Sequence, residues 1–233
     1  MQHNYETQEL DHFASLAPHW WDLTGPLKTL HDINNIRICY IKEKTNLNGK
    51  KIMDIGCGGG ILAESMAKEG AIVTGIDLSS AVLQVASLHQ LQSKTTVEYI
   101  CSSAEAIAME RPASYDVITC LEILEHVPEP LSIIQACSRL VKRGGHLFFS
   151  TINRRPKAYF LAILGAEYFL KLLPKHTHDY AKFIRPSELS TWLRQAKLIS
   201  HDMRGITYSP LTKQFRLSDD CSVNYLFYAR RES

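Results

Sequence analysis

Lys51-Ile52-Met53-Asp54-Ile55-Gly56-Cys57-Gly58-Gly59-Gly60 is an apolar run that meets a carboxylate and then collapses into glycines, the pattern of a buried strand running into a ligand-cradling turn. Ile52, Met53 and Ile55 suit a central strand covered on both faces, while the glycines let the backbone approach a ligand where a Cβ would block it. Ile61, Leu62, Ser65, Met66 and Glu69 then fall near helical spacing, and Gly70 is a natural helix stop. Residues 71–76 read as a second strand ending on Asp77, about twenty residues beyond the first glycine, where a carboxylate can accept hydrogen bonds from both ribose hydroxyls. The unit is βαβ with a nucleoside site.

Two cofactor classes fit such a unit. Gly58-Gly59-Gly60-Ile61-Leu62-Ala63 satisfies the G-x-G-x-x-A form of the dinucleotide fingerprint, which admits a nicotinamide cofactor. Asp54 favours S-adenosylmethionine, because a carboxylate just ahead of the loop repels a pyrophosphate but tolerates a ligand carrying an ammonium and a sulfonium.

Composition narrows the rest. A chain of 233 residues, 45% hydrophobic and 21% charged, can bury one large α/β core, and no Pro/Gly/Ser-rich linker divides it. With 26 basic against 24 acidic residues there is no extended basic face, so nucleic acid is a poor partner and small ligands are expected. The six cysteines are scattered, form no C-x-x-C pair and mostly lie in apolar runs, which fits a reducing cytosol. No apolar stretch reaches the roughly eighteen to twenty residues needed to cross a bilayer, and the N-terminus lacks a signal-peptide core.

Ahead of the decisive stretch, Phe13, Leu16, Trp20, Trp21, Leu23, Leu27, Leu30, Ile33, Ile36, Ile38, Tyr40 and Ile41 make residues 1–48 too apolar for a disordered tail. They should fold as a helical cover over the cofactor end of the sheet. Within that cover Arg37 stands between isoleucines, and a guanidinium there either snorkels to solvent, pairs with a structural acid, or holds a free amino-acid carboxylate bidentately.

Beyond Asp77, Ser79 or Ser80 can cap a helix, residues 97–101 read as a third strand, and 104–109 as a short helix. Residues 115–121 form a fourth strand that runs into Glu122-Ile123-Leu124-Glu125-His126-Val127-Pro128, where ionisable groups crowd the ligand-binding edge of a parallel sheet. A helix over 130–141, a turn at Gly144-Gly145 and a fifth strand over 146–151 follow. Residues 153–183 are an insertion rich in apolar side chains and flanked by Arg154, Arg155, Lys157, Lys171, Lys175 and Lys182. Pro186 opens a further helix, and residues 198–205 and 223–230 supply the last two strands.

With these parts in view, the chain resembles the class I S-adenosylmethionine-dependent methyltransferases, and within them the O-methyltransferases of ubiquinone biosynthesis. The resemblance is carried by Phe13 with Trp20-Trp21-Asp22, by Leu30-His31-Asp32-Ile33-Asn34 ahead of Arg37, and by Asp54 through Glu64. Glu122-Ile123-Leu124-Glu125-His126-Val127 and Thr177-His178-Asp179 with Lys182-Phe183-Ile184 complete it. It implies one Rossmann-like α/β domain spanning 1–233, with a mostly parallel seven-stranded sheet, helices on both faces and the last strand antiparallel.

The resemblance further implies that Arg37 binds the carboxylate of the cofactor's methionine part, Gly56 and Gly58 line its path, Asp77 holds the ribose, and the Leu121 backbone meets the methionine end. Asp54 joins this set through its charge. Asn35 and Arg143 stand where such sequences often have proline, and Ser103 replaces an aspartate that contacts adenine. The implied substrates are a polyprenylated hydroxyphenol and demethylubiquinol. A phenol of pKa about 10 must shed its proton, for which His126 is the candidate base. Alternatively Glu122, Glu125 and His126 hold Mg2+, which lowers the pKa of a coordinated oxygen; as a structural reading, the glutamates merely cap or pair while His126 packs. The insertion is expected to contact an anionic membrane surface or to form a lid. Competing functions are a methyltransferase for another small molecule, a nicotinamide-dependent oxidoreductase, and a cofactor-binding regulator without catalysis.

Overall fold

The computed structural model describes residues 4–156, 158, 180–209, 211, 212 and 214–232. Its centre is β1 (Lys51–Ile55), paired in parallel with β2 (Ile72–Asp77) on one side and β4 (Tyr115–Leu121) on the other. β3 (Val97–Cys101) extends the sheet beyond β2, and β5 (Val141–Ile152) extends it beyond β4. Because the strand order reverses direction at β1, a crevice opens at its C-terminal end, and the glycines after Ile55 sit there.

Alternation along the strands explains the near-continuous apolar runs. Ile52, Val117, Phe148 and Leu226 face one buried cluster, with Ile41 and Leu62 of the covering helices. Their neighbours Met53, Ile118, Phe149 and Phe227 face the opposite cluster, with Ile133 and Leu189. Each central strand is thus covered twice, so every position must be apolar or paired. The helices are α1 (Thr7–Leu16), α2 (Lys28–Lys44), α3 (Ile61–Lys68), α4 (Ser80–Ser93), α5 (Ala104–Glu110), α6 (Pro130–Leu140) and α7 (Pro186–Gln195). Their starts follow local chemistry: Ser79 caps α4 by accepting from the Val82 N–H, Ser103 caps α5 by accepting from the Ala106 N–H, and prolines open α6 and α7. The capping role accounts for a serine at 103, where a resemblance-based reading looks for an adenine contact.

Two features depart from the sequence expectation. Among the described residues the sheet has eight strands, not seven: with β6 (Leu198–Ser209), β7 (Gln214–Ser218) and β8 (Asn224–Arg231) the order is β3-β2-β1-β4-β5-β8-β6-β7. The added strand β7 is an antiparallel edge against β6, and its alternate residues Phe215 and Leu217 pack onto the core beside α2. As expected, the last strand, β8, is antiparallel, and it lies inside the sheet between β5 and β6. The second departure is that Gly144-Gly145 make no turn between elements. β5 already starts at Val141, and the register steps from Tyr115 opposite Val141 to Val117 opposite His146, so the glycines form a bulge with Gly144 at φ +71.

α1, a 3-10 turn at Ala17–His19 and α2 cover the C-terminal edge of the sheet on the glycine-loop side. Most of the 153–183 insertion, residues 157 and 159–179, and with it Thr177-His178-Asp179, lies outside the described residues. Among the described residues no helix is long and apolar enough to cross a membrane.

Candidate active site

The glycine loop is closed over by aromatic side chains. Gly58 adopts φ +53, and a Cβ there would stand 2.2 Å from the Trp20 ring; at Gly56, φ +67, it would stand 1.9 Å from Ile123 Cδ1. Neither position accepts a side chain. The Gly58 N–H donates to Asp77 Oδ2 at 3.1 Å, and the Ser79 N–H donates to Asp77 Oδ1 at 2.9 Å. Burial raises the Asp77 pKa against the pull of these N–H groups. The carboxylate is therefore fixed at the tip of β2 by backbone on both sides, with lone pairs left for a ligand hydroxyl.

Asp54 differs from its sequence reading. It is only 3% exposed and accepts a 2.6 Å hydrogen bond from Thr119 Oγ1. Burial pushes its pKa up to about 7, opposed by the Thr119 hydrogen bond and the Arg37 charge, with Asp77 adding to the rise. The charge argument built on Asp54 thus concerns a group that is half protonated near neutrality and sits beneath the loop.

At the neighbouring strand end, Arg37 projects from α2 and is 6% exposed. Its Nη2 donates to Glu122 Oε1 at 3.0 Å, whereas its Nε is buried without a partner. Glu122 follows directly on Leu121, which is buried at the end of β4. Its backbone is left-handed at φ +56, and Ser150 of β5 fixes it: the Glu122 N–H donates to Ser150 O and to Ser150 Oγ, both at 3.1 Å, while Ser150 Oγ donates to Glu122 Oε1 at 2.8 Å.

His126 takes a partner no sequence pattern announced. Its Nδ1 lies 3.1 Å from Glu9 Oε2 on α1, and its ring meets Phe13 edge-on at 5.2 Å. Glu9 also reaches Lys182 at 3.6 Å, and Lys182 pairs with Glu6 at 2.8 Å. Burial draws the His126 pKa down, but the Glu9 hydrogen bond and the charges of Glu125, Glu9 and Glu122 outweigh it and hold the pKa above the ordinary histidine value. Glu125 is 4% exposed with Oε2 unpartnered, and burial, reinforced by the Glu122 charge, pushes its pKa up to about 8.

These contacts bear on the proposed metal ligands. Glu122 is spent on Arg37 and Ser150, and His126 offers Nδ1 to Glu9, so two of the three candidate ligands already have other partners. Among the described residues no three His, Cys, Asp or Glu side chains are arranged to hold a metal ion. In this conformation the residues do not fit Mg2+.

The cover is fastened to the cradle by Trp21 and Asn34, whose stretches carried the resemblance without showing what they touch. Trp21 Nε1 donates to Gly59 O at 2.9 Å, and the Trp21 ring stacks on His89 at 3.3 Å and 5°. His89 in turn pairs at 2.8 Å with Glu64, a fully buried carboxylate in the first turn of α3. Asn34 of α2 donates to Ser65 Oγ at 2.8 Å. Thr119, Ser150 and Glu9 went unsingled in the sequence, since a lone hydroxyl in a strand or a lone glutamate on a helix has no signature before its partner is in place.

Comparison with known proteins fixes the class. A methyltransferase-domain family model matches residues 36–198. Among solved structures, magnesium protoporphyrin IX methyltransferase from Synechocystis with bound SAH aligns with a TM-score of 0.68 at 19% identity, over 97% of this chain and 99% of that one. The fold also underlies a [4+2]-cyclase, with a TM-score of 0.64 at 17% identity over 85% of this chain and 80% of that one, so it does not dictate the reaction. The glycine cradle, the strand-tip aspartate and the matched domain together define a methyltransferase.

Curated relatives narrow it further. The ubiquinone biosynthesis O-methyltransferase of Pseudomonas fluorescens is 57% identical over 98% of this chain and 99% of its own length. That of Saccharophagus degradans is 56% identical over 98% and 97%. The chain belongs to the ubiquinone biosynthesis O-methyltransferase family.

Proposed function

We propose that this chain transfers the methyl group of S-adenosylmethionine to a phenolic hydroxyl of ubiquinone precursors, taking both a polyprenylated hydroxyphenol and a demethylubiquinol. The observation that carries the reading is the pairing, at one sheet edge, of a backbone-fixed Asp77 beside a side-chain-intolerant glycine loop with a buried Arg37 whose Nε has no partner. Those are receptors for a ribose and for an amino-acid carboxylate.

S-adenosylmethionine supplies a methyl carbon on a sulfonium, already a good leaving group. Asp77 would hold the ribose, the Gly56–Gly58 backbone its path, the Leu121 backbone the methionine end and Arg37 the carboxylate. His126 would take the phenolic proton, leaving the acceptor oxygen nucleophilic toward that methyl carbon. The work of the protein is alignment and proton removal. Trp20 and Trp21 close the cradle against water.

The experiment is mass-spectrometric detection of methyl transfer to a short-chain demethylubiquinol and to a prenylated hydroxyphenol, with calorimetry for S-adenosylhomocysteine and NAD. Methylated product from both acceptors and no NAD binding is expected. NAD binding without S-adenosylhomocysteine binding would return the chain to the oxidoreductases, and cofactor binding without product to the regulators.

The insertion is proposed to dock on an anionic membrane face, because a polyprenyl tail partitions into the bilayer and Tyr159, Phe160, Leu161, Ile163 and Leu164 need cover. Arg154 pairs with Glu188 and Lys182 with Glu6, so the lipid contact is assigned to Arg155, Lys157, Lys171 and Lys175. Wild type should pellet with anionic but not neutral vesicles, and reversing Arg155 and Lys157 to Glu should release it. Recovery in the supernatant throughout would leave the insertion as a lid.

A further inference from the structure

We infer that Glu122 is a positioning residue for cofactor capture: with Ser150 behind it, it grips the Arg37 guanidinium by one nitrogen and leaves Nε aimed at the carboxylate of the cofactor. The inference rests on the cofactor reading above and assigns Glu122 to the cofactor, not to a metal or to the acceptor.

The guanidinium is planar, so fixing Nη2 at 3.0 Å from Glu122 Oε1 also fixes where the Nε–H points. That Nε is buried and unpartnered on a side chain only 7% exposed. A buried donor left open costs free energy unless a ligand completes it. The grip itself is over-determined. The Oε1 that accepts from Arg37 also accepts from Ser150 Oγ at 2.8 Å, and the Glu122 N–H is held by Ser150 from both its oxygens at 3.1 Å.

The backbone supports the same conclusion. Besides glycines, Lys94, Ala113, Glu122 and Lys197 have positive φ among the described residues. Lys94 and Lys197 follow helix ends and Ala113 precedes β4, ordinary places for it. Glu122 alone of these adopts it at the ligand-binding edge of the sheet, where the turn redirects its side chain to Arg37 and inserts Ile123 beside Gly56. Strain at such a position is kept where it serves a site.

Calorimetry with S-adenosylhomocysteine and with 5′-methylthioadenosine, which keeps the adenosine and sulfur but lacks the amino-acid carboxylate, tests this. Glu122→Gln should weaken S-adenosylhomocysteine about tenfold, as expected for a hydrogen bond to a charged group, and leave methylthioadenosine within about twofold. Ser150→Ala should act in the same direction by less, and it keeps the charge pair should Glu122→Gln fold poorly. Arg37→Gln with Glu122→Gln should bind S-adenosylhomocysteine no worse than Arg37→Gln alone. Tighter binding by Glu122→Gln would show that Glu122 competes with the ligand and overturn the inference. Equal loss for both compounds, or additive losses in the double variant, would overturn it as well. If wild type binds neither compound the cofactor reading itself falls, whereas normal wild-type binding with an unaffected Glu122→Gln sinks the positioning role alone.

Discussion

Asp77 ends β2 and Glu122 directly follows β4, the strands that flank β1, and the two are held in opposite ways. The Asp77 contacts come from Gly58 and Ser79, 19 and 2 residues away, so the ribose end of the cradle is set within one βαβ unit and its capping turn. Glu122 is held by Arg37 and Ser150, 85 and 28 residues away, and His126 meets Glu9 across 117 residues. One half of the site is a local product of the chain, and the other exists only when α1, α2 and β5 have docked. Changes at Asp77 should therefore weaken cofactor binding through the ribose, changes at Glu122 or Arg37 should weaken it through the amino-acid carboxylate, and changes at His126 should alter turnover while the cofactor still binds.

His126→Ala tests this division most severely. Turnover should fall by roughly 10²–10⁴, the range for a general base, while S-adenosylhomocysteine affinity stays at the wild-type value. A parallel fall in affinity would mean that the two halves are one cooperative unit. Activity assayed with and without a chelator should not differ if His126 acts alone, whereas a chelator-sensitive rate would require Glu122, Glu125 and His126 to rearrange into a ligand set.

Asp77→Ala examines the local half. Losing hydrogen bonds to a charged group should weaken S-adenosylhomocysteine by roughly 1.5–3 kcal/mol in calorimetry, with the circular dichroism spectrum unchanged because the Gly58 and Ser79 N–H groups face the opened crevice. Unaltered affinity would remove Asp77 from the cofactor.

The same division decides what could be read before the fold was known. Residues 51–77 carry strand, loop, helix and acidic tip in one stretch, each with its own local signature, and their order alone outlines the crevice. Arg37, Glu122 and His126 stood out as charged groups in apolar or ligand-edge surroundings. Their partners did not, because Ser150 reads as one polar residue in a strand and Glu9 as one acid on an amphipathic helix. Counting strands failed for a related reason. Phe215 and Leu217 alternate with Gln214, Arg216 and Ser218, but so short an edge strand shows itself only against β6. The Gly144-Gly145 bulge looked like a turn, since glycine pairs mark both.

Asp54 offers a smaller, pH-dependent test within the local half. Its pKa rises from 3.8 to about 7 on burial, so between those values the native state holds a proton the unfolded chain has released. Stability from this group is complete below about pH 4 and declines as pH climbs through 7. The difference in thermal midpoint between wild type and Asp54→Asn should therefore move against wild type from pH 5 to pH 8, by the equivalent of about 2–3 kcal/mol. Parallel curves would show that Thr119 and Arg37 keep Asp54 ionised, and the charge argument for a cationic cofactor would regain its full strength.

The smallest effect is expected at Glu9, where the two halves meet through the cover. Glu9 accepts from His126 and lies near Lys182, and its own pKa is lowered chiefly by the His126 hydrogen bond. Glu9→Gln keeps the shape but removes the charge that holds His126⁺. The histidine then loses its proton more readily, so the acid limb of the pH–rate profile should move to lower pH, and turnover on the acid side should rise relative to wild type. Because the pair is partly exposed, stability should drop by only about 1 kcal/mol or less. Affinity for S-adenosylhomocysteine should not change, as Glu9 touches nothing in the cradle. A limb that stays in place would mean that another group sets it, and His126 would no longer be the proton acceptor. A limb that moves upward would mean that Glu9 stabilises neutral histidine, the reverse of the charge balance argued here. Comparing Lys182→Met sharpens the result: removing that cation leaves the Glu9 charge to His126 alone, and the limb should shift upward, opposite in sign to Glu9→Gln.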